Sequence, residues 1–384
     1  MHMKALYVAD RIDKWNFSED TTPLLIDECR RRGGKTWFTT ARDISLKASK
    51  IKVVCQEIEI VKGTRCCSTV GSQGLAASAQ VFPAGSQSIT DDSQGITDGS
   101  QGITDDSQGI TDGSQGIAAA AQGQPVGSQR YLLGDSREME LGFFDIVHIR
   151  SDPPFDLEYY YSTLLLEMAP RNTLVVNDPR SLRDLNEKLA IFNFPKYVAD
   201  SLVTYNAEEA ADFVGALGGK AVAKELSKCS SRGITLLEGS RSDLLAKLEP
   251  LVSCGGGQIL VQRFLEGVKE GETRVTLIDG KPLGVMKKVP RKGSFLASMD
   301  FGAKAKSYEL NERELELSTR VGAFLFERGV VFAALDIIDG WLSEINITSP
   351  GLLRHCNDVM GTNLESELED ALERRLSTRK DGKS

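Results

Sequence analysis

LDIIDGWLSEINITSPG, residues 335–351, brings three oxygen-bearing side chains close together: Asp336, Glu344 and Asn346. Residues 335–338 read as a buried strand, Asp339-Gly340 as a tight hairpin turn, and residues 341–347 as the return strand. Glu344 and Asn346 are two apart and so face one side of that strand. A hairpin closed at Asp339-Gly340 brings Asp336 level with them. Two carboxylates and an amide oxygen on one sheet face suit Mg²⁺, a hard cation that takes oxygen ligands and shares its shell with phosphates and water. The same spacing also fits an ordinary hairpin with a polar outer face.

The chain has 384 residues, 41% hydrophobic and 26% charged, enough for a large core in two or three domains. Its net charge of −8 is unevenly spread. Residues 66–129 hold six Asp and no Lys or Arg, which leaves only −2 on the rest. A nearly neutral body argues against a dedicated nucleic-acid surface. Seven cysteines without regular spacing fit reduced thiols in the cytoplasm rather than a disulfide framework. The first residues run into a strand-like segment without a leader pattern, and no apolar run approaches the roughly 20 residues of a membrane helix. His2, His148 and His355 are dispersed, against a histidine-built metal site or triad.

Working outward, residues 4–9, 35–39, 51–61 and 143–150 read as strands and residues 22–32 as a helix stopped by Gly33-Gly34. This βαβ alternation implies a parallel sheet. Residues 86–117 repeat every seven positions as SQGITDG and close variants. One apolar residue per repeat, with Gly and Asp between, cannot offset the entropy of ordering, so an unstructured insertion is expected over residues 65–128. A stacked coil with isoleucines inside is the alternative. Downstream, residues 181–192 read as a helix capped by Ser181, residues 207–217 and 313–328 as further helices, and residues 220–224, 259–264 and 272–278 as strands.

Five segments follow in a specific order: IRSDPPFD (149–156), NDPRSLRDLNEKL (177–189), FLEGVKEGETRV (264–275), DGKP (279–282) and the hairpin quoted above. Together they make the chain resemble the bacterial glutathione synthetases, within the ATP-grasp superfamily. The resemblance implies an α/β fold, α+β in its C-terminal part. A parallel-sheet substrate domain (1–64 and 129–176) would precede an ATP-grasp lid (177–260) and catalytic subdomain (261–364), with a charged tail over 365–384. It also implies an ATP-dependent ligase that joins γ-glutamylcysteine to glycine through an acyl phosphate. The cofactor would be Mg²⁺, with Mn²⁺ as a substitute. The enzyme would be a cytoplasmic homo-oligomer acting on small molecules, with neither nucleic acid nor membrane as partner.

The same resemblance gives roles to residues. Lys188 and Lys224 contact the ATP phosphates, as compact ammonium groups suit. Ser230, Ser231 and Gly233 belong to the loop that closes over them. Gln262, Arg263, Phe264 and Leu265 edge the adenine, and Glu272 takes the ribose hydroxyls. Asp336, Glu344 and Asn346 hold the metal. Arg274, catalytic together with Lys224, faces the negative charge that develops on oxygen. Arg150 and Asp152 open the loop toward the peptide substrate. Two departures stand out. The lid loop is Ser227-Lys228-Cys229-Ser230-Ser231-Arg232-Gly233, where the family carries a glycine run, and Leu296 and Ser298 stand where it carries arginine and asparagine. These departures favour a same-fold ligase with another acceptor as one rival. A nucleotide-binding protein without catalysis is a second rival, disfavoured by the retained carboxylates and lysines.

Overall fold

The computed structural model describes residues 3–62, 129–228, 233–253 and 257–380. The heptapeptide insertion, Ser230 and Ser231 lie outside them. The chain opens with β1 (Lys4–Ala9), α1 (Thr21–Arg31), β2 (Lys35–Thr39), β3 (Ile44–Lys47) and β4 (Lys50–Lys62). After the insertion come β5 (Gln129–Leu133), β6 (Arg137–Glu140), β7 (Ile146–Arg150), α2 (Leu157–Glu167) and β8 (Leu174–Val176). These strands form one sheet in the order β3-β4-β2-β1-β7-β8, with β5 and β6 also on β4. The centre is parallel, as the βαβ pattern requires, because β1 pairs in parallel with β2 and β7, and β7 with β8. The β4 side is antiparallel. The few residues between β2 and β4 are taken up by a turn and β3, too short for the crossover a parallel partner needs.

Residues 181–192, expected as one helix, are not one. The helix is α3 (Pro179–Asp184), and its cap is Asp178, which accepts from Arg180 N and Ser181 N, rather than Ser181. Ser181 Oγ instead donates to the Arg328 carbonyl. The chain then turns at Asn186, whose side-chain oxygen accepts from Lys188 N and Leu189 N at 3.0 and 3.1 Å. A short 3₁₀ turn follows at Ala190–Asn193. Asx turns of this kind compete with helix continuation. The break carries Glu187 and Lys188 off the helix and into the cleft.

A second sheet holds β9 (Ser201–Thr204), β10 (Lys220–Glu225), β11 (Ile234–Glu238) and β12 (Ile259–Arg263) in the order β11-β10-β12-β9. It packs on α4 (Ala207–Ala216) and α5 (Arg241–Ser253) through Ala210, Val214, Leu244 and Leu248. A third sheet holds β13 (Glu272–Ile278), β14 (Lys281–Val289), β15 (Lys304–Ser307), β16 (Phe332–Ile338) and β17 (Trp341–Asn346), antiparallel throughout, with α6 (Glu312–Glu327) against it. The capping box of α6, Asn311 with Glu314, fixes its start.

The chain ends in α7 (Leu353–Met360) and α8 (Leu364–Lys380). The segment expected as a charged tail is thus a docked helix as far as it is described. Leu364, Leu368, Ala371, Leu372 and Leu376 are buried, sharing a core with Leu25, Ile26 and Cys29 of α1. Charge dominated the reading of this segment, although its apolar residues recur at helical spacing. Asn177 joins the first sheet to the third. Its amide donates to the Phe332 and Ile347 carbonyls and accepts from Val331 N and Phe332 N.

Candidate active site

A cleft of about 600 Å³ is lined by residues of all three sheets. Its floor is the β16–β17 hairpin. Asp339 and Gly340 both take positive φ, 51° and 74°, in the turn that closes it. Asp336 lies directly opposite Glu344, and Arg274 opposite Asp336 on the other side. Glu344, Asp336 and Arg274 form a row across three strands. Asn346 is level with Ala334 and donates its amide to Asp336 Oδ2 at 3.1 Å.

The register slips beyond Asp336, where Ile337 pairs with Leu342 and Ser343 is left over as a bulge. That bulge presents both the Ser343 hydroxyl and its carbonyl to Lys224 Nζ, at 2.9 and 3.3 Å. Lys224 also donates to Gln262 Oε1 at 2.9 Å. It is buried, and desolvation lowers its pKa against the pull of Glu344 and Glu272.

Charges of opposite sign interleave across the floor. Arg274 Nε and Lys288 Nζ lie 3.1 and 2.8 Å from Asp336 Oδ1, and Lys288 also reaches Glu272 Oε2 at 3.1 Å. Lys188 Nζ lies 3.0 Å from Glu344 Oε1 and donates to the Lys228 carbonyl. Burial alone would push the Asp336 carboxyl up, but Arg274 and Lys288 hold it below its ordinary value. Glu272 goes the other way, because burial and then the Asp336 carboxylate outweigh Lys288 and Arg274.

Other sequence-singled residues also line the cleft. Arg150 is buried at the end of β7, with Nε donating to Thr22 Oγ1 at 3.2 Å. Asp152 follows, its backbone N–H held by Asp10 Oδ2 at 2.9 Å. Gln262, Phe264 and Leu265 sit at the end of β12 and just beyond it. Arg263 is part of the same wall, but its side chain is exposed and paired with Asp200. Gly233 takes φ 79° where β11 begins, beyond the part of the lid loop that is not described. Leu296 and Ser298 line the cleft, beside Phe295, whose ring meets Phe264 edge-on at 6.0 Å.

Sequence reasoning missed Lys288, Glu187 and Ser343. Lys287-Lys288 offered two adjacent lysines, and only the sheet register decides between them. Lys288 faces Glu272 across the strands and turns inward, whereas Lys287 packs over the Tyr308 ring. Glu187 lay inside a quoted motif. It is half-buried and accepts from Ile347 N, Thr348 N and Thr348 Oγ1, at 2.8, 3.0 and 2.8 Å. Burial and the nearby Glu344 raise its pKa.

Asp336 Oδ1 and Glu344 Oε1 are buried and make no hydrogen bond among the described residues, although cations face both. Two such carboxylate oxygens fit a hard divalent ion, and the Asn346 side chain lies beside them with its amide N–H on Asp336 Oδ2.

The family described as "Prokaryotic glutathione synthetase, ATP-grasp domain" matches residues 187–361, and "Prokaryotic glutathione synthetase, N-terminal domain" matches 3–81 and 108–183. The glutathione synthetase of Nitrosomonas europaea is 37% identical over 249 residues, 64% of this chain and 78% of that protein. That of Pseudomonas putida is 34% identical over the same span and shares. Among solved structures, the RimK domain ATP-grasp protein of Sphaerobacter thermophilus aligns with TM-score 0.53 at 13% identity, covering 96% of this chain and 98% of that one. The ATP-grasp ligase PsnB, with a phosphomimetic precursor variant, Mg and ADP, aligns with TM-score 0.52 at 14% identity, covering 98% and 99%. At these identities the structures speak for the fold alone.

Proposed function

This chain belongs to the prokaryotic glutathione synthetase family, and on that premise we propose how its cleft performs the ligation. It is an ATP-dependent, C–N bond-forming ligase of glutathione biosynthesis that uses a divalent metal. The observation that carries the site assignment is the row Glu344, Asp336 and Arg274, faced by Lys188 and Lys224 within one cleft.

In this reading Lys188 and Lys224 bind the ATP phosphates, and backbone groups of Gln262, Arg263, Phe264 and Leu265 edge the adenine. Glu272 takes the ribose, and Gly233 with Ser230 and Ser231 belongs to the covering loop. Asp336, Glu344 and Asn346 hold Mg²⁺. When bound, the ion neutralises phosphate charge during transfer. Arg150 and Asp152 orient γ-glutamylcysteine. Its cysteinyl carboxylate attacks the γ-phosphorus and ADP leaves. The glycine amine then attacks the acyl carbon, the carbon–oxygen bond to phosphate breaks, and the amine sheds its proton. Both steps gather negative charge on oxygen, and Arg274 is fixed beside that charge without reorganising. Glu187 positions Ile347 and Thr348, and hence the end of the metal strand.

We assign residues 1–64 and 129–176 to the substrate domain, 177–260 to the lid and 261–364 to the catalytic part. We also take the enzyme to be a cytoplasmic homo-oligomer with neither nucleic-acid nor membrane partner. The nearly neutral body supports the absence of a nucleic-acid partner. Among the described residues no helix is long and apolar enough to cross a membrane. A second reading keeps the chemistry and changes the acceptor. Leu296, with Phe295 beside it, gives that stretch of the cleft wall an apolar surface. Phosphate release with ATP, Mg²⁺ and γ-glutamylcysteine, with and without a panel of amino acids, separates the two. Glycine-stimulated release with glutathione as product supports the first. Release with another amino acid but not glycine supports the second, and no release with any acceptor contradicts both.

A further inference from the structure

On the first sheet, Tyr7 of β1 and His148 of β7 stand directly opposite each other. Both are buried, and their rings stack flat, with 4.5 Å between centroids and 2° between planes. A stacked pair in a close-packed core has little freedom to turn. Arg150, two residues on, ends β7 on the same face, because strand side chains alternate. His148 Nε2 and Arg150 Nη1 are both buried and make no hydrogen bond among the described residues. Two such groups in a core are costly unless something joins them.

A small cavity of about 10 Å³ is lined by both residues and by Asn177, Phe332, Thr348 and Leu368. It adjoins the substrate cleft, with which it shares Arg150, Thr348 and Pro350. That volume suits a single water molecule. Asn177 is already committed to backbone groups of Val331, Phe332 and Ile347, which leaves His148 and Arg150 as the water's partners. A water can accept from the guanidinium and still bond to the ring nitrogen in either tautomer. The ring stays neutral, because burial and then Arg150 lower the His148 pKa to about 3. Other contacts steady the rest of the guanidinium. Its Nε donates to Thr22 Oγ1 at 3.2 Å, and its carbon lies 5.7 Å from the centre of the Phe332 ring.

We infer that His148, held flat by Tyr7, fixes Arg150 through one buried water and so sets the aim of that arginine at the peptide substrate. The inference rests on the role proposed above for Arg150 and adds to it a water site and two residues behind it. His148 and Tyr7 act through Arg150 and are positioning residues.

A crystal structure and steady-state kinetics of the full chain test it together. The crystal structure should hold one ordered water within hydrogen-bonding distance of both His148 Nε2 and Arg150 Nη1. His148→Leu removes the polar atom and should raise KM for γ-glutamylcysteine about tenfold. It should change kcat and the KM for ATP far less. His148→Gln, which returns a polar group to the cavity, should recover most of the loss. In an Arg150→Met background, His148→Leu should add nothing further. Should His148→Leu fail to fold, His148→Met carries the same expectation. A folded apolar variant with an unchanged KM for γ-glutamylcysteine, or with both KM values raised alike, overturns the inference. So does a crystal structure in which no water joins the two groups. If Arg150→Met still raises that KM, the role of Arg150 survives either result. Arg150→Met with a wild-type KM overturns both.

Discussion

Glu344 is held at the centre of the floor by its neighbours. Asp336 lies across the strand from it, Lys188 meets its Oε1, and the bulge at Ser343 sets the turn of the strand just before it. Glu344→Gln keeps the shape and removes the charge. It should lower kcat by about a hundredfold or more while weakening ADP binding far less, because the lost charge matters most when phosphoryl transfer builds its own. Steady-state kinetics with ADP calorimetry read both, and a variant near wild-type kcat would remove Glu344 from the machinery. Leu296 makes the opposite kind of prediction. Leu296→Arg restores a charged hydrogen bond of about 1.5–3 kcal/mol, so kcat/KM for glycine should rise roughly ten- to a hundredfold. An unchanged value would mean that this wall does not meet the acceptor. The hairpin itself was legible from Asp339-Gly340, but the turn alone counts Asp336 level with Ser343, and the bulge moves it to Glu344. Ser343 and Lys288 were not legible, because a bulge and the inward choice between adjacent lysines depend on strand partners far along the chain.

At the scale of elements, α8 shows how a charged segment hides a structural role. Glu369 on its inner face is fully buried, and neither carboxylate oxygen finds a hydrogen bond among the described residues. Burial pushes its carboxyl up to about 8. Arg32 opposes this, and Glu373, Glu28 and Asp370 add to it. Cys29 and Tyr7 face it as well, each with its own ionisation pushed up, mainly by burial. The folded chain thus keeps a proton that the unfolded chain sheds near the ordinary 4.5. This contribution to stability is fully present below that value and declines as pH rises through about 8, on the order of 1 kcal/mol per pH unit. Glu369→Gln should therefore match wild type in mildly acidic buffer and gain on it steadily toward pH 8. Thermal melts across that range check it, and an offset that does not change with pH would contradict it. The break after α3 teaches the same lesson. One helix from a Ser181 cap was expected, but the Asn186 side chain ends it early and Glu187 and Lys188 turn inward.

For the whole molecule, the parallel centre of the first sheet and the order of segments were legible, because strand runs and turn residues are local signals. The antiparallel side was not, since it depends on β4 partners on both sides of the insertion. The described chain leaves and re-enters at Lys62 and Gln129, which are paired across β4 and β5. A short Gly/Ser linker in place of residues 72–128 should therefore leave the melting temperature and ATP affinity nearly unchanged. A large fall in either would mean that the repeats contribute to the fold. The central claim is that this cleft activates a carboxylate with ATP and passes it to an amine. It is tested most directly with γ-glutamylcysteine carrying heavy oxygen in its cysteinyl carboxylate, incubated with ATP, Mg²⁺ and glycine. Mass spectrometry should find one heavy oxygen in the released phosphate for each glutathione formed. Glutathione formed with unlabelled phosphate would contradict the acyl-phosphate route, and unlabelled phosphate without glutathione would contradict the ligase itself.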